Sequence, residues 1–278
     1  MSICHQRPLP PILWTSPNPP LSVLSKMKQK KWHTEKALYR TTLGKYYCAR
    51  SEELLNNRLG SKLENSVQLI LTSPPFPLNN KKRYGNLQGA QYKEWFIQFA
   101  ETFSGLLKED GSIVIELGNS WLPNRPIQSL LHLDALLAFV NHPRAGLRLC
   151  QEFICYNPAR LPTPAQWVTV NRIRTIDSYT HVWWMAKTDF PKADNRKVLR
   201  PYSKSMEALL AKQTYNWGKR PSEHNISKKG FLKNRGGSIV HNLIELQNIR
   251  PDEERPRLPE NILRTEHVNE NETLFSSI

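Results

Sequence analysis

The chain has 278 residues, a formal net charge of +15 at pH 7 and a sequence pI near 9.8. This length suits one large domain or two small ones, and the charge favours a polyanionic partner, most simply nucleic acid. No run of about 18 apolar residues is present, and the Pro-rich start lacks the apolar core of a signal peptide, so we expect a cytoplasmic protein without a membrane span. The scattered Cys4, Cys48, Cys150 and Cys155 exclude a disulfide framework and favour reduced thiols without a metal.

The chain begins with a stretch that predicts little regular structure. Residues 1–36 are rich in proline and then in lysine, which is typical of a mobile arm that either contacts DNA phosphates or stays solvated. Tyr46 to Leu55 predicts a short strand that turns into a helix, and Val67 to Leu71 predicts a buried strand.

The residues after this strand, Ser73-Pro74-Pro75-Phe76, form the most informative stretch of the sequence. Two prolines fix the backbone and remove two N–H donors, which leaves a rigid loop of acceptors: the Ser73 hydroxyl and the carbonyls of Ser73 and Pro74. Acceptors fixed in this way suit an amino group on an aromatic ring, because they favour a tetrahedral nitrogen whose lone pair can attack. Phe76 can stack on the ring plane. The alternative is a Pro-Pro strand terminator in an ordinary loop.

Alternating elements follow along the chain. Lys81, Lys82 and Arg83 suit phosphate binding, although a solvated turn would carry the same charges. Apolar periodicity predicts helices and strands in alternation, with the aromatic stripe of the first helix in the core. The predicted elements are a helix over 91–108, a strand over 112–117, a helix over 128–140 and strands over 149–156 and 182–186. This order predicts an α/β domain with a largely parallel sheet.

The region from Asn157 to Arg235 is basic, with sixteen Lys and Arg against five Asp and Glu, and aromatic residues lie among the charges. This mixture favours DNA contact. Arg160, Arg172 and Arg174 are candidates for reading guanine edges, with a phosphate contact or plain surface charge as the alternative for each. From Gly236 onward the charge reverses, with four Arg against eight acids, and little order is expected after Arg250.

The segment Thr72 to Asn86 resembles the β-class cytosine-N4 DNA methyltransferases of type II restriction–modification systems, which carry S-P-P-Y or S-P-P-F at this place. The likeness runs from about Tyr39 and fades after about Leu246. It implies a Rossmann-like, S-adenosyl-L-methionine-dependent fold with an irregular basic target-recognition region, and methylation of a flipped cytosine in double-stranded DNA. In these terms Ser73 and the Pro74 carbonyl hold the amine, Phe76 stacks on the base and Tyr156 covers its other face. Adenine N6 is the alternative target, and Ser rather than Asp at position 73 argues for cytosine.

The sequence departs from this family in its cofactor region. Ala49-Arg50 stands where the family has Gly-Asp, and the chain has no G-x-G pair among its 12 glycines. We therefore assign no cofactor-binding residue and expect an incomplete fold. The predicted domains are the arm (1–36), a catalytic part (37–156), a recognition region with a late strand near 182–187 (157–246) and an acidic tail (247–278).

Three interpretations remain open for such a chain. It is part of a split enzyme completed by a second polypeptide, a truncated remnant that has lost activity, or a DNA-binding protein without catalysis.

Overall fold

The computed structural model of the protein describes residues 37, 39–47, 49–76 and 87–246. The predicted arm and tail, Cys48 and the basic cluster Lys81, Lys82 and Arg83 lie outside the described residues. The chain divides into two compact units, of which the second is Lys192–Ile244 and the first comprises the rest. In the described part, no helix is long and apolar enough to cross a membrane.

The first unit is a sheet with helices between its strands. Its strands are β1 (Tyr39–Arg40), β2 (Lys45–Tyr46), β3 (Val67–Thr72), β4 (Leu107–Leu117), β5 (Ser120–Trp121), β6 (Gln128–Ser129), β7 (Arg148–Tyr156) and β8 (Tyr179–Ala186). Its helices are α1 (Ser51–Leu55), α2 (Arg58–Leu63), α3 (Gly89–Leu106) and α4 (Leu131–Val140), and a π-helical turn covers Gln166–Val170. The predicted helix over 91–108 and the four predicted sheet strands are thus confirmed, with ends that differ by a few residues.

The main sheet is mixed, so the prediction of a largely parallel sheet is wrong. Its long strands lie in the order β7-β8-β4-β3. β3 and β4 run parallel, with Thr72 opposite Ile115, whereas β8 is antiparallel to both β4 and β7. The connection explains the difference: α3 forms the long crossover that a parallel pair needs, but only loop and the π-helical turn join β7 to β8. Without a crossover helix, β8 returns between β4 and β7 in the opposite direction.

Two local predictions also differ from the structure. The sequence predicts a helix from Gln128, but Gln128 and Ser129 pair with Ser120 and Trp121, and α4 begins only at Leu131. The pair Asp110-Gly111 is typical of a turn and predicts one between the helix over 91–108 and the strand over 112–117. In the structure it lies within β4, where the register moves from Leu107 to Ser112 while β3 advances from Val67 to Leu69. These extra residues bulge out of the strand pair, so a turn-like sequence is accommodated without ending the strand.

One face of the sheet forms the core with α3 and α4. The aromatic stripe of α3 is buried as predicted, and Phe96 packs against Phe139 of α4 with ring centroids 4.9 Å apart. Trp183 is fully buried in the same cluster, whereas Trp184 points to the opposite face and is half-buried, as the alternation of a strand requires. The core members from α3, β4 and β8 are Tyr92, Phe96, Phe99, Phe103, Ile113, Ile115, Leu117, Trp183 and Met185.

The other face of β3 is open. Ile70 and Thr72 point into the core, but Leu69 and Leu71 point away from it and are 55% and 62% exposed. In the described part of the chain β3 is also the last strand on its side of the sheet, so it pairs with β4 alone. The other edge continues past β7, where the chain re-enters the first unit at the end of β11 (Leu243–Glu245) and the Leu246 N–H donates to the Tyr156 carbonyl at 2.9 Å.

The second unit contains α5 (Lys204–Lys212) and a small hairpin of β9 (Gly218–Lys219) and β10 (Asn225–Ile226). The Ser203 hydroxyl caps α5 by accepting from the Met206 N–H at 3.3 Å. The unit carries twelve Lys and Arg against three Asp and Glu. Trp217 is 59% exposed, with the Lys228 ammonium 5.3 Å from its ring centroid. The second unit is therefore basic, with an exposed aromatic ring beside a cation.

Candidate active site

The predicted catalytic loop leaves the carboxyl end of β3. Pro74 and Phe76 are buried, and Ser73 and Pro75 are half-buried. The Ser73 hydroxyl oxygen is buried and has no hydrogen-bond partner among the described residues. A buried hydroxyl without a partner is energetically unfavourable, and in a substrate site the ligand can supply the missing bond. The sequence correctly predicted that Ser73 follows the end of a strand.

Phe76 packs directly on the backbone beyond the neighbouring strand. A Cβ atom added to Gly118, the first residue after β4, would lie 2.5 Å from two carbons of the Phe76 ring. Such a contact is too short for any side chain, so glycine permits this approach of ring and backbone. The ring is 8% exposed and forms a wall at the junction of the two strand ends. Its stacking on a flipped base remains a prediction.

Asn119, which the sequence did not single out, follows Gly118 at the same junction. It is 6% exposed, and its amide Nδ2 donates to Asp177 Oδ1 at 3.0 Å. Trp121 Nε1 donates to the other carboxylate oxygen of Asp177 at 3.2 Å. The Asn119 Oδ1 is buried and has no partner in the described part of the chain. Its position directly after a strand adjacent to β3 is the signal that could have identified it, because ligands in α/β sheets bind outside the carboxyl ends of strands.

A small cavity lies behind the loop. Its empty volume is about 360 Å³, part of which is open solvent. Apart from the hydroxyls of Ser51 and Thr72 its lining is apolar, which suits a hydrophobic group better than a charged one. The lining residues are Ser51, Thr72, Pro74, Pro75, Trp95, Phe96, Phe99, Phe103 and Ile115.

Arg50 lies before α1, where the resembling family has an acid. Its guanidinium is largely exposed and lies 3.4 Å from Glu52 and 3.9 Å from Glu53. Glu52 also accepts a hydrogen bond from Trp95 Nε1 at 2.7 Å. Burial raises the pKa of Glu52, but the hydrogen bonds from Trp95 and the backbone and the charge of Arg50 outweigh it, so the pKa is lowered overall. The nearby carboxylate is thus ionised but already engaged.

The predicted DNA-contacting residues of the first unit lie around β7 and β8. Tyr156 ends β7, and Arg160 Nη1 donates to the Tyr179 carbonyl at 2.9 Å. Arg174 Nε donates to the Pro126 carbonyl at 3.1 Å, while Arg172 is exposed in the left-handed region at φ 53°. Arginine has five donors, so the single bond of Arg160 leaves others for phosphate or base edges. The DNA roles of all four residues remain predictions.

A histidine pair links α4 to the sheet below the site. His132 lies on α4, and its ring centroid is 5.0 Å from that of His181, whose Nδ1 is 2.6 Å from Glu152 Oε1. The Nδ1 of His132 is buried without a partner among the described residues. Burial and the nearby His181 lower the pKa of His132, against the raising effects of the Ser129 backbone, Asp177 and Glu152. Among the described residues, no group of His, Cys, Asp and Glu could hold a metal ion.

Comparisons with known proteins show which family the chain resembles. A family model described as DNA methylase matches residues 67–272, past the point at about Leu246 where the sequence predicts the resemblance to fade. The type II methyltransferase M.PvuII of Proteus hauseri is 39% identical over 216 residues, which are 77% of this chain and 62% of that protein. The solved structure of the PvuII DNA methyltransferase (cytosine-N4-specific) has a TM-score of 0.52 and 34% identity, over 66% of this chain and 68% of that one.

The chain thus spans less than two thirds of the curated relative's length. The family match nevertheless covers most of the chain and includes the Ser73 loop, the strand end at Gly118 and both histidines. The chain therefore belongs to the DNA methylase family whose members modify N6 of adenine or N4 of cytosine.

Proposed function

We propose that the protein methylates N4 of cytosine at a specific site in double-stranded DNA, as part of a restriction–modification system in the cytoplasm. The observation that carries this proposal is the buried Ser73 oxygen at the carboxyl end of β3, which has no partner among the described residues. The chain resembles a cytosine-N4 enzyme over most of the chain's own length, and this likeness favours cytosine over adenine as the target base.

The residues of the loop act on the amino group of the flipped base. Ser73 Oγ and the Pro74 carbonyl accept its two hydrogens and favour a tetrahedral nitrogen, so that the lone pair leaves conjugation with the ring. The prolines fix these acceptors before the base arrives, and no reorganisation is needed during reaction. Extruding the base from the duplex costs a few kcal/mol, which contacts such as stacking on Phe76 offset.

Enzymes of this family take the methyl group from S-adenosyl-L-methionine. The described residues do not fit this cofactor by themselves. Apart from the hydroxyls of Ser51 and Thr72 the cavity behind the loop is apolar, and Glu52 is engaged by Trp95 and Arg50, so neither offers a free charged partner for the amino-acid end of the cofactor. The sequence also lacks a G-x-G loop that would let the backbone approach a ligand.

The proposal therefore includes a second polypeptide that supplies most of the cofactor site. The open side of β3 supports this: Leu69 and Leu71 are more than half exposed on a strand whose outer edge is unpaired in the described structure. An exposed strand edge with apolar side chains is a template for another strand. A strand added there would end beside Ser73, where a methyl donor has to lie.

A single-turnover assay tests the chemistry. This chain is combined with a fragment of the Proteus hauseri enzyme that covers the part this chain does not match, and methyl transfer to plasmid DNA is followed. Ser73→Ala should slow methylation by about tenfold or more with little change in DNA affinity, because the bond acts mainly in the transition state. The exposed Ser61→Ala is the control. DNA binding without methylation by any combination would favour the non-catalytic interpretation.

The same mixture of this chain and the fragment tests whether the second polypeptide binds at the outer edge of β3. Leu71→Lys should weaken association with the fragment, because it places a charge where an apolar strand would pack. Leu130→Lys is the matched control, since Leu130 is 65% exposed but lies at the start of α4. Equal association of both variants in sedimentation velocity would contradict the proposed edge.

A further inference from the structure

The orientation of the Asn119 amide is fixed by its neighbour. Nδ2 faces a carboxylate oxygen of Asp177 at 3.0 Å, and a carboxylate only accepts hydrogen bonds. Turning the amide round would bring two acceptors together. Asp177 is itself held by Trp121 Nε1 and by its backbone N–H, which donates to the Thr163 carbonyl at 3.2 Å. Asn119 Oδ1 is therefore presented on the opposite side as an acceptor, buried and without a partner among the described residues.

This acceptor and Ser73 Oγ lie at neighbouring strand ends. Ser73 is the first residue after β3, and Asn119 is the second after β4, the parallel neighbour of β3. The contact between Gly118 and the Phe76 ring brings the two strand ends together. Two buried acceptors that have no partner in the described part of the chain thus occur beside the ring proposed to stack on the target base.

We infer that Asn119 is a specificity-determining residue, whose Oδ1 shares one amino hydrogen of the flipped base with the Pro74 carbonyl in a bifurcated hydrogen bond, and that Asp177 positions it. This inference rests on the proposed function. Cytosine presents an amino group at C4, whereas thymine presents a carbonyl oxygen there. An acceptor that cannot rotate stabilises the amino group and repels the carbonyl, so this pair of residues discriminates against thymine at the target position.

Two variants test the assignment in the reconstituted enzyme. Asn119→Leu keeps the size of the side chain and removes its acceptor. Asp177→Asn keeps the shape at position 177, but one amide oxygen cannot serve both Asn119 and Trp121 as two carboxylate oxygens do, so the Asn119 amide is free to turn. Asn141→Leu, at an exposed position after α4, is the control.

The target site is first read from plasmid DNA methylated by the parent enzyme. Duplexes with cytosine or thymine at the target, opposite guanine, are then compared by equilibrium binding. The parent should favour the cytosine duplex, and both site variants should shift the ratio of the two dissociation constants toward thymine by about tenfold, the factor of a typical net hydrogen bond. A merely structural role would weaken both duplexes alike. Single-turnover methylation of the cytosine duplex should slow in both variants and not in Asn141→Leu.

An unchanged ratio in Asn119→Leu would overturn the inference. Should that variant fail to fold, the ratio in Asp177→Asn decides in the same way. A parent enzyme that binds DNA but methylates no plasmid would contradict the proposed function, and the inference with it. Methylation by the parent with equal ratios in all variants would contradict the role of Asn119 alone.

Discussion

At the scale of single residues, the strand ends combine unfavourable features that a ligand would relieve. Ser73 and Asn119 each bury an oxygen without a partner in the described structure. Burying one such oxygen without a hydrogen bond lowers the free energy of unfolding by about 1–3 kcal/mol. Gly118 has no side chain, which allows the Phe76 ring to pack against its backbone. Two of the four buried polar atoms that lack a partner among the described residues lie at this junction, together with the Gly118 contact, which is typical of a site shaped for a substrate.

Gly118→Ala tests the packing of this junction. The new Cβ would lie 2.5 Å from the Phe76 ring, so ring or backbone must shift, and we expect a loss of about 1–3 kcal/mol in the free energy of unfolding. Gly105→Ala is the matched control: its Cβ would meet nothing within 4 Å, and alanine in α3 should stabilise by up to about 1 kcal/mol. Urea unfolding measures both. A Gly118→Ala variant as stable as its parent would show that the ring does not pack there.

Tyr92→Phe tests a third buried oxygen, which lies in the core. Tyr92 is fully buried in α3, its hydroxyl has no partner among the described residues, and burial raises its pKa far above the usual range. Removing the hydroxyl should raise the free energy of unfolding by about 1 kcal/mol, because an unpaired buried group is eliminated. Trp95→Phe in the same helix should do the opposite, since its Nε1 bonds Glu52. A loss of stability in Tyr92→Phe would mean that the hydroxyl has a partner.

At the scale of elements, the sequence predicted the helices and strands that an apolar period defines, but it did not predict features that depend on strand pairing. The apolar repeat of α3 and the apolar run of the strand before Ser73 could be predicted because each pattern lies within consecutive residues. The antiparallel position of β8 depends on how the chain returns after β7, which no local pattern encodes. Asn119 was missed for the same reason, since its partner Asp177 is 58 residues away. Ser73, in contrast, carries its signal in the adjacent prolines.

The contact between α4 and β8 should make stability depend on pH. Burial and His181 lower the pKa of His132 below the value of about 6.5 in an unfolded chain. Above that pH the group is neutral in both states and contributes nothing to pH dependence. As the pH falls below 6.5 the unfolded state takes up the proton first, so the free energy of unfolding decreases. Asp177 and Glu152 also face His132, and both partly oppose this effect.

His132→Gln isolates this contribution. The decrease in unfolding free energy from about pH 7.5 to about pH 5.5 should be smaller in this variant than in the parent, because the titrating group is gone. His224→Gln, at an exposed position of the second unit, should leave the decrease unchanged. An equal decrease in parent and His132→Gln would place the pH dependence in other groups.

At the scale of the whole molecule, the positive charge and the exposed apolar side chains of β3 lie in different parts of the sequence. The net charge of +15 is concentrated between Asn157 and Arg235, and the second unit carries a large share of it. The apolar side chains exposed on β3 belong to the first unit and suit a polypeptide rather than a polyanion. The sequence predicted DNA from composition alone and gave a second polypeptide as one of three interpretations, and the sheet order adds the open edge of β3 where we propose that such a polypeptide binds.

The charge predicts DNA binding that weakens steeply with salt. If about six phosphates are bound, affinity for a duplex should fall roughly a thousandfold between 50 and 200 mM salt, because each bound phosphate releases its counterions. Replacing Lys81, Lys82 and Arg83 together by alanine should lower the slope of log affinity against log salt by up to about three, which is about one for each phosphate that the variant no longer binds. Lys62→Ala, in α2, is the control and should leave the slope unchanged. Fluorescence anisotropy over a salt series measures all three proteins.

Two outcomes would contradict this prediction. A flat response of affinity to salt in the parent would show that the positive charge serves a purpose other than phosphate binding. An unchanged slope in the triple variant would place the phosphate-binding residues elsewhere on the chain.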